Sequence, residues 1–296
     1  MIDINYELYK VFYHVASTLN FSEASKQLFI SQSAVSQSIK TLEKKLDQVL
    51  FIRSTKKVQL TPEGEILMRH IEPAMNLIRK GEAQLLEAAS TGGQIRIGAS
   101  DTICRYFLIP YLERFHKTFP NAHIKVINQT SVKCAELLRN GMVDLVVVNS
   151  PNNYLGTAAS VTRIRKFRDV FIAGEPFSEL KGRKLSFTDL VRYPILMLDR
   201  NSTTNEFLHS LFQQHQLDLV PEIELTSNDL LVDLARIGLG IAFVPDYCIA
   251  GRTDGIFVLE TEEDLPEREL AIAFNGHLPL SRASQEFLSY FQNSSI

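Results

Sequence analysis

Ser31-Gln32-Ser33-Ala34-Val35-Ser36-Gln37-Ser38-Ile39-Lys40-Thr41-Leu42 is the segment around which the chain is organised. Val35, Ile39, Leu42 and Leu46 recur at i, i+4, i+7 and i+11, so one face of a helix is apolar and turns inward. Ser33, Ser36, Gln37, Lys40 and Lys44 fall on the opposite, polar face. Ser31 occupies an N-cap position, and Phe21-Ser22-Glu23-Ala24 with Leu28 makes a shorter helix just before it. The spacing predicts a helix-turn-helix whose second helix fits a DNA groove.

The side chains suit that use. Amides and hydroxyls near the start of a recognition helix hydrogen-bond base edges, and ammonium groups further along reach phosphates. Ser31, Gln32, Ser33, Ser36, Gln37 and Lys40 are therefore the expected DNA-reading residues of the helix. Beyond it, Phe51 to Leu60 gives two short extended runs around a basic tip, a wing in which Arg53, Lys56 and Lys57 face the backbone. Between Asn20 and Leu60 seven bases stand against three acids, a local excess of +4 in a chain whose formal net charge is -3. Basic charge is concentrated where DNA would lie.

Ala24-Ser25-Lys26-Gln27-Leu28, Ser31 to Ser36, Leu42-Glu43, Leu50-Phe51, Arg53 and Leu60-Thr61-Pro62-Glu63-Gly64 together resemble the amino-terminal signature of LysR-type transcriptional regulators. One residue departs from it: Asp47 stands where such proteins usually carry a glycine after the recognition helix. The resemblance implies a tetramer, a dimer of dimers, that bends promoter DNA and works with RNA polymerase.

At 296 residues with 45% hydrophobic content, the chain can fill two or three cores. Cys104, Cys134 and Cys248 are too scattered for a disulfide framework, and no His/Cys cluster suggests a metal. The amino terminus lacks the charge and apolar run of a signal peptide, and no run is long enough to span a bilayer. A cytoplasmic protein without cofactor or membrane contact is expected.

Leu8, Val11, Phe12 and Val15 predict a first helix under the motif. Past the wing, Thr61 as N-cap and Pro62 as first residue open a helix running towards Ala89, with Leu67, Ile71, Ala74, Ile78, Gly81, Leu85 and Ala88 at heptad spacing. Two readings fit: a helix lying against its own domain, or a dimer seam through Leu67, Ile71, Ile78 and Leu85. Pro73 is expected to kink it.

After Ser90-Thr91-Gly92-Gly93 the pattern changes to alternating strands and helices, which predicts two α/β lobes with parallel or mixed sheets. Phe115, Phe119-Pro120, Gly141 with Asp144-Leu145, and Gly238-Leu239-Gly240-Ile241 with Pro245 resemble LysR-type effector domains, which are similar to periplasmic binding proteins. The fold class is thus α+β overall: a winged helix-turn-helix over 1–60, a linker and dimerisation helix over 61–90, and a two-lobed effector domain over 91–296. By that likeness lobe I holds 91–163 and 269–296, and lobe II holds 164–268, with a ligand between them.

Ligands of open α/β sheets sit beyond the carboxyl ends of strands, where helix N-termini offer free N–H groups to an anion. The loops there supply Ser100, Asp101, Thr102, Thr130, Ser131, Asn149, Ser202 and Thr203 as effector-binding candidates. Each is also an ordinary turn or cap residue. An amino acid, carboxylate or similar anion is expected, and Asp101 either meets a ligand ammonium or serves its own helix.

Catalysis finds no paired nucleophile or ligand spacing among the seven histidines, and Gly238-Leu239-Gly240 reads as a helix end rather than a phosphate loop. An enzyme or a transport-type solute-binding module is the weaker alternative. A thiol-based redox regulator of the same fold is the other, with Arg105 and Lys133 as the only cations adjacent to cysteines in sequence.

Overall fold

The computed structural model describes residues 3–53, 57–87 and 93–292. The chain divides into two units, 1–86 and 87–296. In the first, helices α1 (Tyr6–Thr18), α2 (Phe21–Leu28) and α3 (Gln32–Leu46) precede strands β1 (Phe51–Arg53) and β2 (Val58–Leu60), and helix α4 (Pro62–Glu87) follows. Asn5, Asn20 and Ser31 cap α1, α2 and α3 through side-chain oxygens that accept first-turn N–H groups. Val11, Phe12, Val15, Ala24, Val35, Ile39, Leu42, Leu50 and Phe51 are buried together as one core. The wing is an antiparallel pair with Phe51 opposite Leu60.

Asp47 ends α3 in the left-handed region, at φ 52 and ψ 39, and its N–H bonds back to the helix. Aspartate tolerates that conformation better than most residues, so the stop forms without a glycine. Gly64 is required for space: a methyl group there would stand 2.2 Å from the Leu50 carbonyl oxygen.

Helix α4 carries both Pro73 and the heptad positions. The helix runs through Pro73 without interruption. Proline removes the N–H that would bond the Arg69 carbonyl, and Arg69 is exposed. The heptad seam also divides. Leu67 and Ile71 are half-buried against the first unit's own core, whereas Ile78 is 56% and Leu85 78% exposed. Ala88, and the 90–92 segment, lie outside the described residues.

The second unit holds two five-stranded mixed sheets. In lobe I these are β3 (Gln94–Ala99), β4 (His123–Asn128), β5 (Leu145–Ser150), β6 (Ala159–Phe167) and β14 (Arg268–Asn275), in the order β4-β3-β5-β14-β6. In lobe II they are β7 (Asp169–Gly174), β9 (Ile195–Leu198), β10 (Ile223–Leu225), β11 (Ile241–Pro245) and β12 (Ile256–Val258), in the order β10-β9-β11-β7-β12. Short strands β8 (Lys184–Leu185) and β13 (Glu260–Thr261) pair beside them. β3 runs parallel to β4 and β5, and β9 parallel to β10 and β11; β14 and β7 run antiparallel to their neighbours.

Helices cover both sheets. A continuous helical run joins α5 (Asp101–Ile103), a π turn (Cys104–Leu108) and α6 (Ile109–Thr118); α7 (Ser131–Arg139), α8 (Phe187–Leu190), α9 (Thr203–Gln214), α10 (Asn228–Arg236) and α11 (Arg282–Gln292) complete the set.

The lobe boundaries differ from expectation. Residues 164–167 belong to β6, paired with β14, so the outward crossing is at Arg168 and not after Arg163. Arg268 already belongs to β14 of lobe I. The reason lies in β6, an edge strand with one sheet neighbour whose apolar residues Ala159, Val161, Ile164 and Phe167 do not alternate regularly with its polar ones.

Candidate functional sites: the helix-turn-helix face and the interlobe cleft

In the first unit Gln32, Ser33, Gln37 and Lys40 are exposed along one side of α3. Gln32, Ser33, Ser36 and Arg53 line a shallow hollow with Phe21 and Val58, between helix and wing. Ser31 is engaged locally: its Oγ accepts the Ala34 N–H at 3.2 Å and lies 2.9 Å from Ser33 Oγ. Lys57 is exposed beside the wing, and Lys56 lies outside the described residues.

Arg53 occupies a different position from the one its charge suggests. It donates to Ser36 Oγ at 3.2 Å and to Glu43 Oε2 at 3.4 Å, and its guanidinium lies 4.7 Å from the Phe21 ring centre. Glu43 in turn accepts the N–H groups of Leu50 (2.9 Å) and Phe51 (3.3 Å). Arg53 thus ties wing to helix, and Ser36 is half-committed to it.

In the second unit all eight expected effector residues, Ser100, Asp101, Thr102, Thr130, Ser131, Asn149, Ser202 and Thr203, line one cleft of about 480 Å³ between the lobes. Four helical runs begin there. The hydroxyls of Ser100, Thr130, Ser202 and Ser227 accept the N–H groups of Ile103 (3.3 Å), Lys133 (3.3 Å), Thr204 (3.1 Å) and Leu230 (3.3 Å). Each cap leaves its own O–H and the remaining first-turn N–H groups for a ligand, and the helix dipoles add positive potential. Ser131 also fixes lobe I, because its Oγ accepts the Asn149 N–H at 3.1 Å.

Sequence reasoning missed the wall formed by Thr226, Ser227 and Asn228, together with Pro245 at the end of β11 and Tyr247 beyond it. The signal was present: Thr226-Ser227-Asn228 is a polar run between a strand and a helix, like the other three loops. It also missed a buried pair behind Thr203 and Thr204. Arg268 bonds Asp169 at 2.6 Å, with side chains 2% and 0% exposed, and donates to Thr204 Oγ1 at 3.2 Å and Thr203 Oγ1 at 3.5 Å. Burial pushes the Asp169 carboxyl up, and the Arg268 guanidinium opposes it.

Further polar bonds bridge the lobes. Asn228 Nδ2 donates to Thr102 Oγ1 at 3.0 Å. Asp229 Oδ1 accepts from Tyr106 Oη at 2.5 Å and from Arg252 Nη1, while Arg105 Nη1 reaches Oδ2 at 3.2 Å. Tyr154 Oη donates to Glu206 Oε1. Burial pushes the Asp229 carboxyl up, but the Tyr106 and Arg252 hydrogen bonds and both arginine charges outweigh it and hold the group below the usual range.

The cysteines are set for inertness. Burial, with Asp101 adding to it, pushes Cys104 up to about 11, and burial pushes Cys134 up to about 12 and Cys248 higher still. Such thiols stay protonated near neutral pH, the opposite of what a redox-sensing thiol needs. Among the described residues no helix is long and apolar enough to cross a membrane.

Compared with known proteins, residues 6–65 match the family described as "Bacterial regulatory helix-turn-helix protein, lysR family", and residues 88–295 match "LysR substrate binding domain". A probable RuBisCO transcriptional regulator of Phaeodactylum tricornutum is 28% identical, over 97% of this chain and 96% of its own length. The HTH-type transcriptional activator CmpR of Synechocystis sp. is 27% identical, over 95% and 93%. Among solved structures, CbnR complexed with its target DNA superposes with a TM-score of 0.67 at 18% identity, covering 99% of this chain and 100% of that one. The CcmR regulatory domain of Synechocystis PCC6803, in complex with 2-PG, gives 0.62 at 21% identity, covering 68% and 99%. At such identities these two likenesses are likenesses of fold.

Proposed function

The chain belongs to the LysR family of transcriptional regulators, and we propose that α3 reads a promoter site while a small polar metabolite bound between the lobes controls the outcome. Gln32, Ser33 and Gln37 contact base edges, and Lys40 and Lys57 contact phosphates. Arg53 acts on DNA chiefly by holding the wing against α3. Two copies pair through the exposed half of the α4 seam, Ile78 to Leu85, and place their recognition helices in major grooves about 34 Å or a multiple apart. Dimers join as a tetramer, and the assembly acts on RNA polymerase in the cytoplasm. Regulation and not catalysis is the role, as in the relatives named above.

The observation that carries this reading is the convergence of eight hydroxyl, amide and carboxylate residues from separate loops on one cleft at four helix N-termini. Hydroxyl- and amide-rich walls with free N–H groups suit a small ligand with an anionic group. For a ligand to act, it must favour one arrangement of the lobes or subunits over another.

Thermal-shift screening of the full chain against amino acids, carboxylates, phosphates and 2-PG tests it. A compound at a hundred times its Kd stabilises the folded state by about 2.7 kcal/mol. A hit whose effect is lost in Thr130→Ala and Ser202→Ala supports the cleft; a hit indifferent to both changes sinks it.

A further inference from the structure

Donors and acceptors in the cleft are unevenly filled. Asn228 is only 6% exposed; its Nδ2 is engaged by Thr102, and its Oδ1 has no partner among the described residues. On lobe I, Asn149 gives Nδ2 to Thr203 Oγ1 at 3.5 Å, and its Oδ1 is likewise buried and unpartnered. Buried amide oxygens are normally bonded, so each lobe holds an unmet acceptor on a residue that lines the cleft.

Charge narrows the choice. Among the described residues the cleft lining contains no Lys, Arg or His and two acids, Asp101 and Asp199. Asp101 is exposed and makes no ion pair among the described residues, while Asp199 accepts the Asn201 N–H at 3.1 Å. Helix N-termini and hydroxyls accommodate one anionic group. A compound with two or more negative charges would face both carboxylates with no cationic side chain to offset it. A neutral polyol would leave the carboxylates unmatched.

We infer that the effector is an amino-acid-like zwitterion, its carboxylate on the helix N-termini and its ammonium towards the Asn149 and Asn228 oxygens and Asp101. This rests on the cleft being the effector site. It assigns Asn228 and Asp101 as specificity residues: they distinguish an amino acid from the same carboxylate without its amine.

Calorimetric titration of the full chain with the standard amino acids, each hit paired with its amine-free counterpart (glutarate for glutamate, propionate for alanine), tests the inference. At least one amino acid is expected to bind, more tightly than its counterpart by about tenfold or more. Asn228→Leu should remove that preference, and Asp101→Asn, at an exposed position that folding tolerates, should shrink it. A carboxylate or inorganic phosphate that binds as tightly as any amino acid overturns the zwitterion and leaves the cleft as effector site. An amino acid preference that survives both substitutions also overturns the assignment. No heat from amino acids, carboxylates or phosphates alike overturns both this inference and the cleft itself.

Discussion

Asp169 and Arg268 stand at the two points where the chain passes between the lobes of the second unit, and their side chains meet at 2.6 Å with 0% and 2% exposure. One begins the outgoing strand β7 and the other the returning strand β14. Arg268 is further packed between the Phe167 and Phe207 rings, at 5.4 and 4.8 Å from their centres. The crossing is therefore tied electrostatically, and the same guanidinium, buried behind the cleft, positions the lining residues Thr203 and Thr204.

Breaking one side of that pair leaves a buried charge uncompensated. Arg268→Met should destabilise the second unit by about 3 to 5 kcal/mol in urea unfolding, and Asp169→Leu combined with Arg268→Met should recover part of the loss. A single substitution costing less than about 1 kcal/mol would show that the tie is dispensable.

Gln32 and Arg53 should fail in different ways. Gln32→Ala should change discrimination among DNA sequences by about 1 to 3 kcal/mol where it reads a base. Arg53→Ala should weaken binding evenly across sequences and lower the first unit's stability by about 1 kcal/mol, through the lost Glu43 pair and Phe21 stacking. Competition binding over several salt concentrations separates the two, and identical behaviour would refute the division.

Ile78→Lys with Leu85→Lys should yield monomers or weakened dimers in sedimentation without loss of helix content. Leu67→Lys with Ile71→Lys should instead unfold the first unit, since both residues pack on its core. Dimers that survive the first pair unchanged would place the subunit contact elsewhere.

Asp229 predicts the direction of a pH effect. Its folded-state carboxyl is held below its ordinary 3.8, so its contribution to closure is present above that value and is lost as pH falls through the lower folded value. Asp229→Asn should remove the Arg105 and Arg252 attractions at every pH and loosen the lobes. Interlobe distances by paired fluorescent labels report this; a variant as closed as the parent at neutral pH would show that the remaining bonds suffice.

Much of the site was legible because its parts are local. Ser100, Thr130 and Ser202 each follow a strand and precede a helix, a short-range signature that any such loop displays. The Ser227 loop, between β10 and α10, carries the same signature. Edge strand β6 went unread because Arg163, Arg165 and Lys166 interrupt its apolar residues, and the first lobe boundary moved with it.

The sequence by itself determined the helix-turn-helix, its capped recognition helix, the two α/β lobes and the character of the cleft loops. These follow from periodicity and capping, which act over a few residues. Tertiary structure alone decided that Arg53 clasps Glu43 and Ser36, that the α4 seam is half-buried at Leu67 and Ile71 but exposed at Ile78 and Leu85, and that Arg268 meets Asp169. Such pairings join residues 10 to 99 positions apart, and no local pattern encodes which distant partner a charge will find once burial removes water as the alternative.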